Sequence, residues 1–320
     1  MIMRFPSSPR LLLTLVLAAG ALIACAAEPD GSDDPLPPPA EGTGFQIAMT
    51  TTVPAGEEAW LCKVSRLPTS EYTAANHVRS VQSEGMHHMD VMALLFAGVD
   101  IPEGTHDCNA LYRDYPQLME DGLIIYAAQQ PDQEITLPPG TVASLPGNLL
   151  VMQEIHHVNT SPDPVEAYSK INIYEYGEPI SNEIWGSPVR DTNLDVPPGE
   201  SMQWTRCVMN EPIDVLFLSS HTHALARKVE VRLFDGAGIG ELIYENRDWA
   251  TPALKNFTTP LHVAAGQGFE FQCHYRNAGT ETVHWGFAAA DEMCQIALVY
   301  TPGIASRRCE TVATSDGILP

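Results

Sequence analysis

Six of the chain's 11 histidines fall in three tight pairs. His221 and His223 close an apolar run, Ile213-Asp214-Val215-Leu216-Phe217-Leu218, that reads as a buried strand. Residues two apart on a strand share a face, so both imidazoles can address one metal ion. His87 and His88 sit in Gly85-Met86-His87-His88-Met89-Asp90, and His156 and His157 follow the apolar run that ends at Ile155. Neighbours on a regular strand point to opposite faces. His87 and His88 can therefore share a metal only through a bend, a bulge or different ring nitrogens, and Gly85 makes a local break plausible. A third imidazole from the strand ending at Ile155 would complete a three-His site, with alternation alone leaving His156 and His157 equivalent. Imidazoles suit copper, zinc or iron. The His221/His223 pair needs a soft third ligand if its metal cycles through Cu(I). Met293, in Ala290-Asp291-Glu292-Met293-Cys294, is the best candidate, because a thioether favours Cu(I) and is a poor ligand for zinc or calcium. The bland alternative makes Met293 a core residue and the histidines satisfied structural groups. A disulfide at Cys294 would hold the Met293 loop in place.

The elements that must carry these residues are short strands. Strands are expected at 45–49, 58–64, 77–82, 91–96, 123–126 and 149–155, then at 213–219, 228–234, 242–244, 269–275, 282–287 and 293–300. Helical periodicity is weak, and only 109–118 suggests a turn or short helix. Leu137-Pro138-Pro139-Gly140 and Val196-Pro197-Pro198-Gly199 are turns. Repeated short strands with Pro/Gly turns predict an all-β chain of sandwich or jelly-roll type. Turn residues between 176 and 191 suggest a boundary. The expected arrangement is two tandem domains, 45–182 and 183–310, followed by a polar, loose tail at 311–320.

The chain has 320 residues, with 17 basic against 40 acidic, a net charge of -23. That balance argues against nucleic acid and against an anionic membrane face. Residues 1–24 read as a secretion signal: Arg4 and Arg10, then an apolar stretch too short for a convincing membrane span. Leu22-Ile23-Ala24-Cys25 matches a bacterial lipobox, so Cys25 is expected to carry a lipid anchor in the bacterial envelope. Residues 26–44, rich in Asp and Pro, are expected to form a flexible tether. Six further cysteines, Cys62, Cys108, Cys207, Cys273, Cys294 and Cys309, suggest three disulfides in an exported chain.

Taken in order, these pieces resemble the copper type II ascorbate-dependent monooxygenases, the family of peptidylglycine alpha-hydroxylating monooxygenase and dopamine beta-monooxygenase. The matching pieces are Leu61-Cys62 with Arg66-Leu67-Pro68, His87-His88-Met89, Glu154-Ile155-His156, His221-Thr222-His223 and Asp291-Glu292-Met293-Cys294, with His284-Trp285-Gly286 ahead of the last. The resemblance covers about 45–309. It implies two jelly-roll-like sandwiches facing across a wet cleft. His87, His88 and His156 would hold an electron-transfer copper, and His221, His223 and Met293 the copper that binds dioxygen. His157 then becomes a non-ligand, as do His77, His106, His262 and His274, while His284 is a candidate support for the Met293 site. The resemblance also implies the bridges Cys62–Cys108, Cys207–Cys309 and Cys273–Cys294. The implied reaction hydroxylates an activated C–H bond of a small substrate with O2, using two coppers and ascorbate or an equivalent reductant, in a chain expected to act as a monomer. The alternative is an exported copper-binding or electron-transfer protein without turnover.

The resemblance breaks at the substrate. Peptide-processing members carry an Arg two residues before the first His of the His-x-His motif, where this chain has Ser219. Their Asn and Tyr after the ligand Met are replaced by Gln295 and Ala297. Ser cannot make a bidentate carboxylate clamp, so C-terminal glycine peptides are not the expected substrate.

Overall fold

The computed structural model describes residues 34–94, 101–116, 118, 123–304 and 306–318. The expected signal segment, Cys25 and the first part of the tether, 26–33, lie outside the described residues, as does part of the predicted strand at 91–96. The fold is nearly all β, as the strand pattern requires; the seven-residue helix Cys108–Asp114 is capped at its start by the Asp107 carboxylate, which accepts from the Ala110 amide. Four main sheets carry the chain.

In the first half, a six-stranded sheet contains Gly44–Val53, Val165–Glu175 and Thr73–Gln82, and a five-stranded sheet runs Gly104–Asp107, Glu58–Arg66, Leu150–Val158, Met86–Ala93, Leu123–Ala128. Alternation sorts the side chains. Met89, Val91, Val151 and Ile155 pack against Ile47 and Ile171 in the core between these sheets. The intervening residues, His88, Asp90, Glu154 and His156, stand on the opposite face. After Ile184, whose amide donates to the Val142 carbonyl, the chain enters the second half. There a four-stranded sheet runs Trp185–Arg190, Gln295–Thr301, Ile213–His221, Lys255–Val263. Val189, Leu218, Ile296 and Leu298 face a core shared with Val231, Phe269 and Phe271 of the other six-stranded sheet. Again the alternate residues face the other way. The two sheets that carry the histidines thus each turn one face to their own core and the other face toward one another. Leu137, Leu216 and Phe217 form a small apolar cluster joining the halves.

Three expectations are corrected. The tail is not loose: Cys309–Thr314 pairs with Gly199–Met209 and with Gly317–Ile318, held by the Cys207–Cys309 bridge. Its Thr/Ala content hides a strand whose neighbours supply the apolar contact. The end of the tether is not free either. Leu36 is buried, and the Gln46 and Asn172 side chains donate to the Leu36 and Pro37 carbonyls. The predicted strand at 282–287 shrinks to Val283–His284, and Met293 lies just before its strand rather than in it.

Candidate metal centre

On the first-half sheet, Trp60, His156 and His88 lie side by side on adjacent strands, with Cys62, Glu154 and Asp90 on the next rung. The ladder slips between Met86 and His88, so His87 is the extra residue of a bulge. Gly85 makes the bulge possible: its φ is +87°, and a Cβ there would stand 2.8 Å from His157 Nε2. The bulge brings His87 beside the other two rings, with centroids 5.1 Å from His88 and 5.3 Å from His156. One ring nitrogen from each of His87, His88 and His156 lies within 4.8 Å of the others. His157 points away, and its Nε2 meets the Glu84 carbonyl at 2.9 Å.

On the second-half sheet, His221 ends its strand beside Gln295, and Gln295 pairs with Arg190. His223 follows in a buried turn. Met293 is buried and its loop is clamped beside His223. The Glu292 carboxylate, fully buried, accepts from the amides of His223, Leu225 and Met293. The Tyr275 hydroxyl donates to the Met293 carbonyl at 2.8 Å, and the bridge Cys273–Cys294 adjoins it on the same strand. Burial pushes the Glu292 carboxyl up to about 7 against the pull of those amides.

The two sets meet. His87 lies 5.3 Å from His221 and 4.9 Å from His223 by ring centroids, and His87, His221 and His223 also form a group with ligand atoms within 4.8 Å. The expected cleft is present as a cavity of about 330 Å³ lined from both halves and reaching His88, His221 and Met293. It does not separate the two histidine sets, however, and a wet gap between them is corrected to direct ring contact. Strand alternation gives the face of each side chain but carries no information on the spacing between facing sheets.

The free nitrogens differ between the sets. His156 Nε2 meets Glu58 at 2.6 Å and His88 Nε2 meets Glu154 at 3.2 Å, while Nδ1 of His88 and His156 and both ring nitrogens of His87 are buried with no partner among the described residues. His221 Nδ1 meets Gln129 Oε1 at 2.8 Å and His223 Nδ1 meets the Asp291 carbonyl at 3.0 Å, leaving Nε2 of His223 buried with no partner among the described residues. Orphaned buried ring nitrogens are costly unless something binds them, and neutral imidazole is the form a metal takes. Burial, with the neighbouring imidazoles, drives His87 and His221 far down and His223 down to about 4. His156 is lowered by burial and by His88. His88 goes the other way: burial opposes its charge, but the Glu154 hydrogen bond and the Asp90 and Glu154 charges outweigh it.

Several participants escaped sequence reading. Glu154 is tied by Trp60 Nε1 at 2.7 Å and by the Tyr112 hydroxyl. Glu154 and Asp90 stand two residues from His156 and His88, a same-face spacing that could have found them. Nothing local marks Glu58 or Gln129, which arrive from other strands. The His284 side chain offers the Met293 loop no support: it is exposed on Asp195 at 2.6 Å, and only its backbone carbonyl reaches Glu292. The Ser219 hydroxyl donates to the Ala253 carbonyl. All three implied disulfides are present.

Residues 191–318 match the family model for the C-terminal domain of the copper type II ascorbate-dependent monooxygenases. The chain is 24% identical over 267 residues to the peptidyl-glycine alpha-amidating monooxygenase of Mus musculus, a match covering 80% of this chain and 26% of that protein. It therefore spans about a quarter of that relative's length. Among solved structures, the major capsid protein P2 of bacteriophage PM2 aligns with 81% of this chain and 100% of its own, at 9% identity and a TM-score of 0.32, too loose a likeness to bear on function. Both likenesses point to the copper type II ascorbate-dependent monooxygenases, the family-model match lying in the second half of the chain.

Proposed function

We propose that the protein is an exported, lipid-anchored monooxygenase that holds two coppers and uses ascorbate or an equivalent reductant to hydroxylate a small substrate. The observation that carries this reading is the set of orphaned nitrogens. Nδ1 of His88 and His156, both ring nitrogens of His87, and Nε2 of His223 are buried with no hydrogen-bond partner among the described residues. This donor set fits copper. His87, His88 and His156 would hold one ion, and His221, His223 and Met293 the other, with the thioether favouring Cu(I). Copper bound there would supply the one-electron chemistry by which O2 is activated and a C–H bond is oxidised.

The protein's own part is orientation and exclusion. Glu58 and Glu154 accept the Nε2–H protons of His156 and His88 and so present Nδ1 toward the centre. Gln129 and the Asp291 carbonyl do the converse for His221 and His223, presenting Nε2. Met293 and His221 line the cavity, as does His88 of the other set, while His87 and His156 are buried away from it, so a substrate there can lie against the softer site. The His87 contacts supply a short path between the two ligand sets. Replacement of the Arg position by Ser219, whose hydroxyl is engaged with Ala253, argues against a carboxyl-terminal peptide held as in the peptide-processing members.

The test is copper per chain together with ascorbate-driven oxygen uptake, for the wild type beside Met293→Ala. Two coppers with uptake that collapses in the variant support the proposal. Two coppers with equal uptake would mean a copper carrier instead, and no stoichiometric copper would end the metal reading.

A further inference from the structure

The cavity wall on the second-half sheet is built in rungs. Arg190, Gln295 and His221 form one rung; Pro188, Ala297 and Ser219 the next; Gly186, Val299 and Phe217 the third. All nine line the cavity. Polarity therefore falls along it, from the histidine end to an apolar end closed by Leu137 and Leu254. The facing wall contributes Asp90 beside His88. Arg190 and Asp90 are both largely shielded from bulk water. Each feels the other's charge, yet they form no ion pair, and neither side chain makes a hydrogen bond with any described residue. The nearby Glu154 is different, since Trp60, Tyr112 and His88 already use its oxygens. A guanidinium and a carboxylate on facing walls of a cavity, the carboxylate with His88 and Glu154 within 4.8 Å but neither group in an ion pair among the described residues, are costly to shield. They become complementary when a ligand of opposite polarity bridges them.

We propose that this cavity binds a free amino acid with an apolar side chain, its carboxylate on Arg190, its ammonium on Asp90 and its side chain along the Phe217, Val299 and Leu137 wall. Guanidinium is the preferred partner of a carboxylate. The volume, about 330 Å³, stands at the small end of the roughly 300–1,000 Å³ typical of small-molecule sites, which accommodates a single amino acid. Arg190 and His221 share a rung two strands apart, about 10 Å between backbones. A ligand held by its charged end therefore has its first side-chain carbons nearest His221 and Met293. This assignment rests on the monooxygenase reading for its consequence, but not for the binding itself.

Calorimetric titration of the metal-free protein tests it, because amino acids chelate free copper and would mimic binding in its presence. L-Leucine, L-phenylalanine and L-tryptophan serve as graded probes. Phenethylamine, 3-phenylpropionate and glycine lack in turn the carboxylate, the ammonium and the side chain. At least one of the three amino acids is expected to bind once per chain, and each truncated analogue about tenfold or more weaker. Arg190→Met should weaken the amino acid about tenfold while leaving phenethylamine unchanged, and Asp90→Asn should spare 3-phenylpropionate in the same way. If none of the three amino acids binds, or if the analogues bind as tightly, the proposal is overturned. The analogue series on the unaltered protein decides the matter even where a variant does not fold. The two readings fail separately: amino-acid binding without ascorbate-driven oxygen uptake removes the monooxygenase and keeps the pocket, and uptake without amino-acid binding does the reverse.

Discussion

The two histidine sets are built by different means. The first-half set stands on paired strands, with one bulge at His87, and two of its rings, His156 and His88, are oriented by carboxylates, Glu58 and Glu154. The second-half set stands at a strand end and on two loops, and its orientations are fixed by neutral acceptors, Gln129 and the Asp291 carbonyl. Its buried carboxylate, Glu292, gathers the backbone amides of both loops. The difference teaches a division of labour. A sheet positions its ligands through its own ladder and spends its acids on tuning the imidazoles. A loop site must spend its acid on building the loops. Gln129 crosses from the first half to orient His221 in the second, so the second site is complete only when the halves are closed on each other.

That contrast predicts opposite consequences for removing an acid. Glu292→Ala leaves three buried amides without an acceptor and should cost on the order of 3 kcal/mol of stability, seen as a lowered denaturation midpoint with loss of the His223/Met293 copper. Glu292→Gln, which keeps an oxygen acceptor, should recover most of it. Replacing Cys273 and Cys294 by serine should cost about 2–4 kcal/mol and leave Met293 unable to ligate, which X-ray absorption would read as lost sulfur scattering. Glu58→Gln should leave the melting temperature nearly unchanged, because that pair is partly exposed, yet weaken one of two coppers about 10- to 100-fold in a competition titration. An unfolding effect as large as that of Glu292→Ala would erase the contrast. Gln129→Ala is expected to have the smallest effect, about tenfold on the other copper, because a water can replace a neutral acceptor.

Much of this was legible in the sequence, and the remainder has physical reasons. Two-residue spacing marked His221 and His223 as a pair, although the strand ends at His221 and His223 stands beyond it, and Gly85 beside His87-His88 made a break there plausible. Alternation left His156 and His157 equivalent, because it defines faces only relative to a neighbour, and the choice of His156 came from the resemblance; the structure stands His156 beside His88 and Trp60 on adjacent strands. The contact between His87 and His221 was not legible, since no local pattern encodes how far apart two sheets stand. The Cys309–Thr314 strand hid behind threonines at a sheet margin. Leu36 was one apolar residue in a proline-rich stretch, and its burial depends on Gln46 and Asn172, which bond the backbone around it. Arg190 and Asp90 carried no motif; only the cavity makes them a pair.

The closeness of the two sets poses the sharpest question, because His87 lies within ligand reach of both. Copper stoichiometry in the wild type, His156→Ala and His223→Ala, with X-ray absorption on the reduced protein, addresses it directly. Two separate sites predict two coppers in the wild type and the loss of one in each variant, with sulfur ligation kept in His156→Ala and lost in His223→Ala. One copper per chain, abolished by either substitution and showing no sulfur, would mean a single shared histidine cluster and would contradict the account.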